Sequence, residues 1–303
     1  MNKEDDIRLD QKVRAAWMYY IAGLNQSEIA SQLGTSRPVV QRLIAAAKDE
    51  GIVSIGLHHP VANCLDYAQL LKEKYQLTDC NIMPVYSIES TLDSVTFGCY
   101  QLMARYLQGD KPTIVGIGSG LTLKKTIKRI DFDSQNTRCV ALISAMNEHG
   151  QCNYYDDVPL LLARKIQGKY YQWPAPRYAQ SREEYQMWST NRLFRNVSTV
   201  ARDSDVIFVG IGALGRQSPI FKDGFIDEQQ LEELTARGGV GEILGRFIDA
   251  EGNVVESQIN QMITSHDIRE SNCPRIAAAC GEDKRPAILA ALKGGWINGL
   301  VTD

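Results

Sequence analysis

The sequence predicts an α/β protein in two parts: an N-terminal helix-turn-helix domain over residues 1–59, and a doubly wound, mainly parallel-sheet domain over residues 60–303. Three observations carry that expectation. The chain has 303 residues, about twice the usual single-domain length, so two cores are expected. Residues 26–48 place small, glycine and β-branched residues at the spacing of a helix-turn-helix. Beyond residue 60, short apolar runs alternate with amphipathic stretches, and strands separated by helices give a parallel sheet covered on both faces.

The first helix is read over residues 8–24, where Val13, Ala16, Trp17, Tyr20, Ile21 and Leu24 share one stripe that closes near Gly23. From Gln26 the chain reads QSEIASQLGTSRPVVQRL. Ile29, Ala30 and Leu33 face inward, with Ala30 small because two helices cross there. Gly34 takes the turn, since it enters the left-handed region at little cost, and Ser36 suits the next N-cap. Val40, Leu43 and Ala47 return apolar groups to the same small core. Ser36, Arg37, Gln41 and Arg42 then project from the first turns of the second helix, where a recognition helix presents side chains to base edges. Arg suits guanine and Gln suits adenine. Pro38 is tolerated near a helix start because its missing N–H would be unpaired there. Gln26, Ser27 and Lys48 fit phosphate contacts, which position without specifying. The same helices could instead pack on the rest of the chain or on a protein partner.

Charge is consistent with a small DNA module used in several copies. The whole chain carries a net charge of -3, too little positive charge to coat nucleic acid by bulk electrostatics. Between Gln11 and Lys48, however, Lys12, Arg14, Arg37, Arg42 and Lys48 face Glu28 alone. Residues 52–57 alternate like a short strand or wing, and His58-His59-Pro60 then marks the boundary near residue 60.

In the second part, helices are expected over 65–77, 92–107, from 121, over 227–236 and over 284–292. Strands are expected over 81–85, 113–117, 138–143, 206–210, 276–279 and 297–301. The polar, aromatic-rich stretch 144–180, with Tyr154, Tyr155, Tyr170, Tyr171 and Trp173, gives no clear element and is expected to shape a pocket. Ligands of such sheets bind beyond the carboxyl ends of the strands.

Four loops are candidates for that binding. VGIGSGLT over 115–122 runs from a strand through Gly118, Ser119 and Gly120 into a helix, where bare N–H groups and the dipole favour an anion and Ser119 and Thr122 add hydroxyls. The pattern lacks the third glycine and the later acid of a dinucleotide site, and a tight turn alone also explains it. Lys124, Lys125, Lys128 and Arg129 on the following helix read as a solvated basic face. A second glycine turn over 210–215, including Gly212, follows another buried strand, so two strand ends converge on one crevice. In GRFIDAEG over 245–252, Asp249 either faces a ligand or opens a type I turn closed by Gly252. In GEDK over 281–284, helix capping accounts for Glu282 and Asp283, while Lys284 could meet a phosphate or carboxylate.

Taken in order, the stretches QSEIASQLGTSRPVVQRLIAAAKDEGIV, VGIGSGLTL, DVIFVGIGALG, GGVGEILGRFIDAEG and AACGEDKRPAILAALKGGWINGLVTD resemble the SorC family of sugar-responsive bacterial transcription regulators over nearly the whole chain. The resemblance implies a helix-turn-helix domain joined to an effector domain related in fold to sugar-phosphate isomerases, assembled as a homotetramer. It implies sugars, polyols or their phosphates as effectors, and operator DNA as partner. By position it assigns a phosphate loop to Gly118, Ser119, Gly120 and Thr122, and sugar-facing groups to Asp249 and Lys284.

Composition narrows the alternatives. With 44% hydrophobic, 23% charged and 8% aromatic residues, the chain is neither disordered nor fibrous. No apolar run approaches the roughly 18 residues that span a bilayer, and the acidic start MNKEDD has no basic and apolar leader, so a cytoplasmic protein without a membrane partner is expected. Seven cysteines without a Cys-x-x-Cys spacing read as reduced thiols, and four histidines without a ligand spacing offer no metal site. No cofactor is implied. The reading is therefore a regulator of a carbohydrate or polyol operon rather than an enzyme. A sugar-phosphate isomerase or deaminase is the alternative, with Asp249 and Glu242 as its carboxylates and with His149 and His266 read as surface residues.

Overall fold

The computed structural model of the chain describes residues 3–54, 59–144, 146, 152 and 158–303. The chain divides into two units, Met1–His59 and Pro60–Asp303.

The first unit holds α1 (Lys3–Tyr20), α2 (Gln26–Gln32) and α3 (Arg37–Asp49). A capping box starts α2. Asn25 Oδ1 accepts from the N–H groups of Ser27 at 3.0 Å and Glu28 at 3.1 Å, and Glu28 Oε2 accepts from the Asn25 N–H at 2.7 Å. Gly34, at φ +62°, redirects the chain into α3. Ser36 stands at the N-cap of α3, but its hydroxyl makes no cap bond there. Ala15, Ile29, Ala30, Val40 and Ile44 form the core, with Leu43 at its edge. The stripe expected on α1 needs correction. Ala15 and Ala16 are the buried residues, because small side chains let α1 lie close on α3, while Val13, Trp17 and Ile21 are exposed. Residues 52–54 lie in no strand, Val53 instead donating to the Ala47 carbonyl at 3.1 Å; the remainder of the expected wing, 55–57, and His58 fall outside the described residues.

The second unit runs α4 (Pro60–Tyr75), β1 (Asp79–Ile82), α5 (Thr91–Leu107), β2 (Ile114–Ile117), α6 (Leu121–Lys128), β3 (Arg138–Ala141), α7 (Val158–Lys165) and β4 (Lys169–Tyr171). It continues with α8 (Arg182–Thr190), α9 (Arg192–Arg202), β5 (Val206–Val209), β6 (Gly212–Ala213), α10 (Pro219–Lys222), α11 (Glu228–Ala236), β7 (Gly239–Ile243) and β8 (Arg246–Asp249). Last come α12 (Gln258–Gln261), β9 (Arg275–Ala278), α13 (Arg285–Lys293) and β10 (Gly299–Thr302).

Seven of these strands form one all-parallel sheet in the order β1-β10-β9-β5-β2-β3-β4. β2, β5 and β10 are buried at every position, which is why they read as continuous apolar runs. Alternate residues serve the two faces. Val140, Leu142, Ile207, Val209 and Leu300 enter one core; Val115, Ile117, Phe208, Ile276 and Val301 enter the other. The chain winds outward from β2 to β4 in one direction and from β5 to β10 in the other, so the order reverses between β2 and β5.

The sequence pattern missed a second sheet, the antiparallel β6-β7-β8, because its strands are short and rich in glycine. It also missed α7 and β4 inside the polar stretch and α8 and α9 just after it. Of that stretch, Tyr154, Tyr155 and His149 lie outside the described residues. His266 is not a surface residue. It is 4% exposed; its N–H donates to the Leu142 carbonyl at 2.9 Å and its Nε2 lies 2.9 Å from Ser271 Oγ. Lys124 is likewise buried on α6 rather than part of a solvated face, unlike Lys125 and Arg129, which lie beside Asp93 at the surface.

Two predictions follow from this packing. Gly252, at φ +82°, lies against α13, and a Cβ there would stand 2.5 Å from Gly294 Cα and against the Ala290 carbonyl. Gly252→Ala is expected to cost on the order of 3 kcal/mol, read as a lowered denaturation midpoint. The second concerns pH. Burial holds the His266 imidazole at about 4, against the pull of Asp267 and with the help of Arg246 and Arg202. The folded state therefore favours the neutral ring. The associated stability, on the order of 3 kcal/mol, is present above the ordinary value of 6.5 and is lost as pH falls from there through 4. Denaturant titrations at pH 7, 5 and 4 should show this loss, and His266→Gln should flatten it.

Candidate functional site

The reversal between β2 and β5 opens a crevice, because the connections leaving these two strands run to opposite faces of the sheet. The Gly118 N–H donates to the Phe208 carbonyl at 2.9 Å, which continues the β2–β5 ladder to the rim. Gly120, at φ +118°, then turns the chain into α6, and its carbonyl accepts from Lys124 N–H at 3.0 Å. A side chain at that φ would be strained, so the loop requires glycine.

A cavity of about 840 Å³ lies at this point. Its floor and walls come from Ser119–Leu123 after β2, Gly210–Gly215 after β5, and Ala278 with Cys280–Lys284 after β9. Glu242, Leu244 and Gly245 of the small sheet cover one side, with Asp223 and Phe225 beyond them, while Val85, Ile88, Thr91 and Leu92 reach in from the β1–α5 connection. Three strand ends thus meet one hairpin sheet.

Of the expected effector residues, Ser119, Gly120, Thr122, Gly212 and Lys284 line the cavity. Gly118 lies directly behind them, its α-hydrogen side against Leu244 and Val209. Asp249 is placed elsewhere. Its Oδ1 accepts from the N–H groups of Glu251 and Asn253, both at 2.9 Å, and its Oδ2 accepts from Asn253 Nδ2 at 3.2 Å. Burial, the largest single influence, pushes the carboxyl up, but the hydrogen bonds from Asn253, Glu251 and Gly252 together hold it below its usual range. Asp249 organises the turn that Gly252 closes, the other reading its sequence allowed.

Arg177, which the sequence did not single out, and Glu242, which it offered only as a carboxylate of the enzyme alternative, join the lining. Arg177, beyond β4, is buried; its guanidinium lies 3.5 Å from the centre of the Phe225 ring and its Nη2 donates to the Ser144 carbonyl at 3.2 Å. Glu242 Oε2 accepts from the Gly245 N–H at 2.6 Å, and Oε1 packs so closely on Gly212 that a Cβ there would collide with it. Tyr178 donates its hydroxyl to the Gly245 carbonyl at 2.6 Å, and burial pushes its pKa up. At the opposite wall, the Gly281 N–H donates to Asp303 Oδ1 at 3.1 Å, and burial raises the Cys280 thiol although Lys284 pulls it down. Arg285 Nη1 holds Glu282 Oε1 at 2.6 Å on the surface. The cavity therefore offers cations (Arg177, Lys284), carboxylates (Glu242, Asp223, Asp283), hydroxyls and bare backbone within one apolar enclosure. This donor and acceptor set suits a small polyhydroxylated molecule. No group of three or more metal-ligating side chains converges anywhere among the described residues.

In the first unit, Ser36, Arg37, Pro38, Gln41 and Arg42 are all exposed at the start of α3. Arg37 Nε donates to Gln26 Oε1 at 3.4 Å, tying the start of α3 to the start of α2, and Arg42 Nε donates to the Pro38 carbonyl at 3.4 Å. Gln26 is half-buried beside them.

Comparison with known proteins defines the class of this chain. Residues 59–303 match the Sugar-bind family, that of a sugar-binding domain. The erythritol catabolism regulatory protein EryD of Brucella abortus (strain 2308) is 30% identical over 294 residues, covering 96% of this chain and 93% of its own. The transcriptional regulator LsrR of Escherichia coli (strain K12) is 31% identical over 305 residues, covering 97% of this chain and 92% of its own. Among solved structures, the full-length sorbitol operon regulator SorC from Klebsiella pneumoniae superposes with a TM-score of 0.71 at 25% identity, covering 98% of this chain and 96% of that one. The chain belongs to the SorC family of transcriptional regulators.

Proposed function

We propose that the chain is a sequence-specific DNA-binding regulator of a carbohydrate or polyol catabolic operon, gated by a sugar or sugar phosphate in the cavity between β2 and β5. The observation that carries this reading is the cavity itself, a partly open space of about 840 Å³ at the topological switch point, lined by the glycine loops after β2 and β5 together with Glu242 and Arg177. Its relatives are named for erythritol catabolism and for the sorbitol operon, which favours a regulator over an isomerase or deaminase built on the same sheet.

In this reading α2 and α3 form a helix-turn-helix. Ser36, Arg37, Gln41 and Arg42 reach base edges in the major groove, with Pro38 at the helix start and Gln26, Ser27 and Lys48 at the phosphates. The 60–303 domain is the effector and oligomerisation domain, related in architecture to sugar-phosphate isomerases, and the working form is a homotetramer in the cytoplasm. No helix among the described residues is long and apolar enough to cross a membrane. Ser119, Gly120 and Thr122, at the start of α6, hold an anionic or hydroxylated end of the effector, and Lys284 approaches it from the β9 side. Effector binding favours one arrangement of the loops after β2, β5 and β9, and so changes the spacing of paired recognition helices. Because the coupling is reciprocal, DNA must alter effector affinity by the same factor.

Arg37→Ala and Arg42→Ala are each expected to weaken binding to a duplex selected from a randomised pool by about 1–3 kcal/mol, with thermal unfolding unchanged. Unchanged affinity in both variants would remove the recognition-helix assignment. Ser119→Asp places a carboxylate among the N–H groups of the cavity loop. In calorimetric titrations against a panel of hexose, pentose and tetritol phosphates it should reduce binding at least tenfold, while affinity for the selected duplex in the absence of effector stays as it was. Equal binding by wild type and variant would move the anion site away from this loop.

A further inference from the structure

We propose that residues 84–90, between β1 and α5, are a lid that closes over the cavity, with Val85 and Ile88 touching the effector in the closed form. Such a lid presupposes the function proposed above, in which a sugar or sugar phosphate occupies this space. Among the described residues, Val85, Ile88 and Leu121 are the large apolar side chains of the cavity lining that are exposed, at 44%, 88% and 42%. Tyr86, between the first two, is 70% exposed. The rim of a site full of polar groups is thus bordered by bulky apolar side chains standing in water. Brought together over a bound molecule, they pack on its C–H faces and shut out solvent, which strengthens the hydrogen bonds made inside by Arg177, Glu242 and the glycine loops.

The way the segment is attached permits that movement. The Met83 N–H donates to the Thr302 carbonyl at 2.8 Å, continuing the β1–β10 ladder one residue past β1. Residue 84 is proline, which has no N–H to continue it. From there to Glu89, every hydrogen bond to a described residue stays within 87–91. The Ser87 N–H donates to Ser90 Oγ at 3.1 Å, and the Ser87 carbonyl accepts from Ser90 Oγ at 2.9 Å, from the Ser90 N–H at 3.2 Å and from Thr91 Oγ1 at 3.2 Å. A tip knotted to itself and untied from its surroundings moves as one piece, with Pro84 at one end and the start of α5, at Thr91, as the other. Without effector, the closed position would roof a space that no side chain fills, so the open form is favoured. An effector supplies the missing contact atoms and shifts the population toward closure.

The test uses the purified full chain carrying Ile88→Cys and Leu121→Cys, with erythritol 4-phosphate and sorbitol 6-phosphate as probes, each first titrated against the wild type by calorimetry. With a bound probe, mild oxidation should form the 88–121 disulfide within one chain, identified by peptide mass mapping, about fivefold faster than without it. Once oxidised, the chain should retain a probe bound beforehand through gel filtration and refuse one added afterwards, and reduction should reverse both. A disulfide that forms at the same rate with and without probe, one that joins two chains, or none at all would each overturn the lid. Ile88→Ser supplies a reading that needs no cross-link. It should speed probe dissociation about tenfold, because affinity lost at a closing contact shows in the off-rate. The thermal midpoint of the unliganded variant should stay as in wild type, since Ile88 packs in no core. Unchanged dissociation would remove the lid alone, whereas a wild type that binds neither probe would remove the effector reading and the lid with it.

Discussion

The second unit depends on a single constraint of connectivity, the reversal of strand order between β2 and β5. Two parallel neighbours whose connections depart to opposite faces leave a gap that no side chain of either strand fills. The surrounding structure is arranged to keep that gap open yet enclosed. Glycines let the loops after β2 and β5 come together, the small antiparallel sheet roofs the opening, and Glu242 is fixed there by the Gly245 N–H rather than left to swing. Arg177 is held in the same way, between an aromatic face and a carbonyl. Such fixed polar groups cost little ordering when a ligand arrives, which is how a shallow set of hydrogen bonds yields selectivity.

The two units express different solutions to small size. About 50 residues form α1 to α3 around a small core of Ala15, Ala16, Ile29, Ala30, Val40, Ile44 and Ala47 among the described residues, so local devices matter there: the Asn25–Glu28 capping box, the turn at Gly34 and the close fit of Ala15 and Ala16. The larger unit relies on two apolar faces of one sheet, where local caps contribute less than burial.

What could be read in advance followed from how local the signal is. β2, β5 and β10 were legible because double-sided burial writes itself as IVGI, VIFV and GLVT, and α2 and α3 were legible because their motif has fixed spacing. The lining residues Ser119, Gly120, Thr122, Gly212 and Lys284 were reached through glycine turns after strands. Arg177 and the final role of Asp249 were not reachable. A buried arginine on an irregular loop has no periodic signature, and an Asp before a turn reads alike whether its carboxylate meets a ligand or the backbone of Asn253. The bulky stripe on α1 misled for a related reason. Periodicity reports that a face is apolar but not which partner covers it, and the inward face pairs Ala15 and Ala16, which hardly register in such patterns, with Met18, Tyr20 and Leu24, so only part of the expected stripe turns inward.

The position of β10 has a consequence for synthesis. Among the described strands, β1 hydrogen-bonds to β10, and β10 to β9, so the first strand is joined to the rest of the sheet through two strands that come last in the order of synthesis. A ribosome that has released residues 60–270 has delivered β1 and the β5-β2-β3-β4 block with a two-strand slot between them. Both bordering strands then offer open ladders until β9 and β10 emerge. Until β9 and β10 arrive, those open ladders are where wrong pairing of the nascent chain is most exposed.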